Sequence, residues 1–190
     1  MEARTARNRI GADVAIGGAV LDTSVLALRA LSFCAALQAA GVPLFLSLIG
    51  AELRISRKSL LALASRSAWA ALLLVVIYQV AEPIRLLGDV RGVLDASLQR
   101  ELLESPIGTT TAVRLLGLLL IAVGCGRWER GQTLAVLGSA LVATSFALMG
   151  HTAEGDHRWL TAVALLVHVV VVAFWFGSLL PLYLASRVSP

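Results

Sequence analysis

Three histidines are the side chains of this sequence best suited to binding chemistry, and all of them fall in one stretch, "ALMGHTAEGDHRWLTAVALLVHVVVVAFWFGSL", residues 147–179. They are His151, His157 and His168. Imidazole is a ligand for copper, zinc and iron, and a thioether such as Met149 suits Cu(I). On a helix, eleven residues return to within about 20° of the start, so His157 and His168 share a face while standing about 16 Å apart along it. That separation excludes one shared ion, because metal–nitrogen bonds are about 2 Å long. The pair reads as two stations on one face, which Trp175 also joins. His151 closes the preceding apolar run, with Thr144 on its stripe. The expected arrangement turns His168 toward the bundle interior beside Trp175, with His151 on the neighbouring helix nearest the path. The competing reading is structural: a histidine in an apolar helix can simply hydrogen-bond a neighbouring helix, worth about 1 kcal/mol.

The elements that position these residues are membrane spans. The chain is 58% hydrophobic and 15% charged, with mean hydropathy +0.84. A soluble domain is nearer 45–50% apolar and about 25% charged. The net charge of +4 suits loops facing anionic lipid, and no basic–aromatic pattern points to nucleic acid. About 20 apolar residues cross a bilayer. Five stretches qualify, residues 24–51, 60–81, 108–126, 133–150 and 159–186. The predicted fold is all-α, a polytopic transmembrane helical bundle over 24–186 behind an N-terminal segment, 1–23. The first span is expected to serve as an uncleaved anchor. Pro83 and Pro106 bracket a loop, 82–107, in which Val93, Leu94, Leu98 and Leu102 recur at helical spacing. It reads as an extracytoplasmic loop holding an amphipathic helix at the interface.

Basic residues in short loops mark the cytoplasmic side. Arg54, Arg57 and Lys58 in the first loop, Arg127 and Arg130 in the third, and Arg187 near the C-terminus do so here. Asp89, Asp95, Glu101, Glu104, Glu154 and Asp156 then face outward, while Arg4, Arg7 and Arg9 pull the other way. Charges inside a span seek partners, and Arg29 with Glu82 is the expected ion pair. Arg114 is expected to snorkel toward the outer interface or to position an anionic group. Gln38 and Gln79 are candidates to bridge helices. Cys34 and Cys125 fall at opposite depths, which excludes a disulfide and leaves both as small packing residues. No nucleophile–base set or phosphate loop suggests an enzyme.

The segments "TSFALMGHTA" and "RWLTAVALLVHVVVVAFWFGSLLPL" resemble the CopD copper-resistance family of bacterial inner-membrane proteins. In that family a Gly-His pair closes one helix, and the next carries a His followed seven residues later by Trp and a Gly-rich step. Gly150, His151, His168, Trp175 and Gly177 match these places, and Ser178 replaces the second glycine. "RSAWAALLLVV" and "GTTTAVRLLGLLLI" resemble the two preceding helices more loosely. The resemblance implies uptake or transfer of periplasmic copper, with His151 and His168 as ligands and a periplasmic copper chaperone as a possible partner. Fuller members commonly have more spans, which implies a short form, a partner or a homo-oligomer. Histidines in a membrane bundle can also be axial ligands of haem b, as in redox proteins. That alternative needs two imidazoles at one depth.

Overall fold

The computed structural model describes residues 2–50, 56–87, 89–126, 131–148 and 158–188. These form α1 (Glu2–Leu48), α2 (Arg57–Leu87), a 3-10 turn (Val90–Leu94), α3 (Ala96–Glu104), α4 (Pro106–Gly126), α5 (Gly131–Ala147) and α6 (Arg158–Val188). No strand occurs among the described residues, which makes the protein all-α as expected.

Among the described residues four helical stretches are long and apolar enough to cross a membrane, Asp22–Leu48, Arg57–Leu87, Pro106–Gly126 and Trp159–Arg187. The remaining expected span is the shorter helix α5, of 17 residues, which rises about 25 Å. Its low length is offset by close packing. Antiparallel α4 and α5 meet at Gly117 against Gly138, and at Gly124 against Gly131. A Cβ on Gly131 would stand 1.8 Å from the Gly124 carbonyl oxygen. Glycine is therefore needed for the backbones to approach so closely.

Helix α1 begins at Glu2, far ahead of the expected start near Ser24. It packs mainly on α2 and α6. The core joins Ala36, Ala39, Ala40, Val42 and Leu46 of α1 to Leu60, Ala64, Ala68 and Val75 of α2, with Leu118 and Ile121 of α4. α6 runs parallel to α1 and is seated by Gly41 against Ala173 and Gly177.

Pro83 does not stop α2, which continues to Leu87. A proline within four residues of a helix end disrupts little of the helix beyond it. Pro106 instead opens α4, where its missing N–H costs no internal bond. Between them lies the expected short amphipathic helix. Asp89 caps the 3-10 turn and Asp95 caps α3. Leu102 is buried, and Gln99 donates to the carbonyls of Val80 and Val93. This hairpin thus lies over the end of α2 and the start of α4.

Candidate functional site

His151, His157 and Met149 lie outside the described residues. His168 does not. It sits ten residues into α6, about 15 Å along the helix, and it is exposed. Trp175 is 63% exposed. The two share a face, as their spacing requires, but that face points away from the bundle. The inward side of α6 is formed by Val169, Ala173, Gly177 and Pro181. The expectation that His168 faces the interior is corrected here. The glycine contact with α1 fixes the rotation of α6, and His168 lies about 100° around the helix from neighbouring Val169. Thr144 is half-buried on α5 and donates to the Ala140 carbonyl. Among the described residues no three His, Cys, Asp or Glu side chains gather closely enough to hold a metal ion.

What the bundle encloses instead is a polar cluster near the Leu87 end of α2. Glu82 is buried, and its Oε1 accepts from Arg85 Nε at 3.0 Å and Nη2 at 2.7 Å. The partner of Glu82 is therefore Arg85, one turn along the same helix, where Arg29 was expected. The uninterrupted helix through Pro83 places Arg85 there. Arg29 lies 5.4 Å from the Phe33 ring centroid. With Asp22, Val25, Leu26, Tyr78 and Arg85 it lines a cavity of about 210 Å³. One turn below Glu82, Gln79 accepts from Thr111 at 2.9 Å and ties α2 to α4. The expected bridging role of Gln79 is thus met. Gln38 Nε2 is buried without a described partner.

Arg114 is the innermost charge of this group. It does not snorkel: it is 3% exposed. Its Nε donates to Ser145 Oγ at 3.1 Å. The guanidinium lies 4.9 Å from the Phe33 centroid and 4.3 Å from that of Phe146. The two rings meet edge to face at 5.0 Å. An aromatic sleeve drawn from α1 and α5 thus holds a cation that α4 supplies. Phe33, Phe146, Ser145 and Tyr78 are members of the cluster that sequence reasoning missed. Only Arg85 carried a signal, its spacing of three residues from Glu82.

These features define an all-α membrane protein with a charged interior on one side and an exposed histidine helix on the other. A family model described as copper resistance protein D-like, N-terminal domain, matches residues 20–159, and the chain belongs to that family. His151 and His157 fall within the matched residues, and His168, Trp175 and Gly177 lie beyond them. No curated protein and no solved structure matches the chain.

Proposed function

We propose that this membrane protein handles copper as cargo, carrying or relaying it from the periplasmic side of a bacterial inner membrane through histidines at the outer half of the bundle. The observation that carries the reading is His168. A membrane helix otherwise rich in valine places an imidazole about 15 Å from its start, and no described residue hydrogen-bonds it. A polar side chain at such a depth marks a pathway or an interface more often than lipid contact. Membership in a copper-resistance family supplies the ion.

In this reading His151 and His157 receive copper at the outer surface, and His168 is the deeper station. Imidazole alone binds either oxidation state of copper, and a Met149 thioether would favour Cu(I). A ladder of separate, modest sites suits transfer, since each must release what it binds. The protein's role is conduction or hand-over without a bond-making reaction.

Copper titration of detergent-purified protein tests this. His151→Ala and His168→Ala should each weaken binding by tenfold or more, roughly the share of one ligand. Cells carrying His168→Gln at matched protein levels should differ from wild type in copper accumulation. Unchanged affinity in both alanine variants would remove the histidines from the assignment. A stoichiometric haem spectrum in the purified protein would replace copper by haem b.

A further inference from the structure

We propose that the groove between α2 and α4 at the Arg57 end of the bundle binds the phosphate of an anionic phospholipid. Lys58, Leu61, Ala62, Ser65 and Arg66 line it from α2, and Cys125 with Gly126 from α4. The five α2 residues recur at intervals that keep them on one side of a helix. Cations therefore stand at both ends of a strip whose middle is apolar and small. The groove has a volume of about 360 Å³. Its floor is fixed by Ser65, which donates to the Ala122 carbonyl at 3.2 Å. Its far side is open, because a Cβ on Gly126 would meet nothing within 4 Å.

Arg66 carries the argument. It is exposed, and no described residue forms a hydrogen bond or ion pair with it. It lies nine residues into α2, about 14 Å from the helix start. α2 rises about 46 Å in all, more than the roughly 30 Å hydrocarbon core. Its first turns therefore reach the headgroup layer, with Arg66 below them on the lipid-facing surface. A guanidinium there extends its stem toward the nearer interface, along the groove and toward Lys58. No described residue at this end of the bundle is acidic.

Charge and shape together select the ligand. A guanidinium pairs with phosphate oxygens in a fork, and the ammonium of Lys58 adds a point charge. Leu61 and Ala62 between them match a glycerol backbone and the first carbons of an acyl chain. A free anion would leave that apolar strip unused. Basic pockets between spans near the cytoplasmic surface hold anionic headgroups in this way. The groove is at the opposite end of α2 from Glu82, and copper handling enters none of its chemistry.

Native mass spectrometry of the full chain, released from nanodiscs of mixed phosphatidylglycerol and phosphatidylcholine, tests it. Wild type should retain phosphatidylglycerol preferentially. Arg66→Gln should lower that preference roughly fivefold, the weight of one cation near a membrane surface. Lys58→Gln should lower it in the same direction, and Arg66→Lys should keep most of it. Circular dichroism and elution profile establish that each variant is folded, and Lys58→Gln against Arg66→Lys decides if Arg66→Gln is not. Equal retention of the two lipids by wild type overturns the proposal. So does an unchanged ratio in the folded glutamine variants, or displacement of the lipid by millimolar inorganic phosphate.

Discussion

Arg114 and His168 are both polar side chains set well inside apolar helices, and the fold treats them in opposite ways. Arg114 is enclosed by side chains of α1 and α5, with Phe33 and Phe146 against its plane and Ser145 at its Nε. His168 stands on the outer face of the least covered span. Only 17% of the most apolar window of α6 is buried, against 50% for α1. A buried cation with fixed neighbours has its role inside the fold. A polar group on an open face has no such neighbours within the fold, and the copper path proposed above is drawn through it for that reason. The difference separates a packed unit of α1, α2, α4 and α5 from a helix laid against its outside, mainly on α1 and less on α5.

The largest effect should come from breaking the enclosed side of that comparison. Arg114→Ala removes the guanidinium from between two rings and leaves a void, at a cost on the order of 3 kcal/mol. His168→Ala should change stability by less than about 0.5 kcal/mol, as surface changes do. Unfolding in a mild detergent compares the two directly. Equal losses would mean that His168 is a packing residue and that the contrast is false.

The seam between α1 and α6 comes next. A Cβ on Gly41 would lie 1.9 Å from the Ala173 carbonyl oxygen, with Gly177 behind it. Gly41→Ala must push α6 off α1, and overpacking of this kind costs about 2 kcal/mol. Hydrogen exchange should quicken across Ala164–Leu180 while α4 and α5 stay protected. Uniform loss of protection would show that α6 is integral to the packed unit.

How much of this was legible in the sequence follows the same division. Apolar length gave the spans, because a bilayer requires about 20 residues whatever the fold. Gln79 was legible as a bridge, since an amide in a span has few other uses. The partner of Glu82 was not, because reading Pro83 as a stop removed Arg85 from the helix. The sleeve around Arg114 was hidden for another reason: Phe33 and Phe146 are brought together by packing and share no local spacing. Helical period put His168 and Trp175 on one face. It could not say which way that face turns, since α6 is apolar nearly all round. His151, His157 and Met149 lie outside the described residues, so their share of the site rests on sequence.

A smaller effect sharpens the charged cluster. The Arg85 side chain is 42% exposed and that of Glu82 only 5%. Solvent screens such a pair, and a double-mutant cycle of Glu82→Gln with Arg85→Gln should give a coupling of about 0.5–1 kcal/mol. The same cycle with Arg29→Gln should fall near zero. A larger coupling to Arg29 than to Arg85 would restore the pairing first expected from the sequence.

The smallest effect belongs to the hairpin over the bundle, and it depends on pH. Asp95 accepts from the Ser97 hydroxyl and from the backbone N–H groups of Ser97 and Leu98. The Ser97 hydroxyl first, then the Leu98 N–H, holds its carboxyl below the ordinary carboxylate range. The native state therefore favours the ionised form. The cap's contribution is complete above the unfolded aspartate value, about 3.9, and is lost as pH falls through the lower folded value. At neutral pH it should be constant. Amide exchange at Ser97 and Leu98 should stay slow from pH 7 to 5 and quicken only in acid, beyond the intrinsic pH dependence of exchange. Asp95→Asn keeps a capping oxygen and should abolish that acid step. The bundle's own melting should be the same in both proteins, because α3 adds one buried side chain, Leu102, to the interior. Absence of the acid step in wild type would refute the pH-dependent cap, whereas its persistence in Asp95→Asn would assign it to another carboxylate of the hairpin, with Asp89 at the start of the 3-10 turn the next to replace.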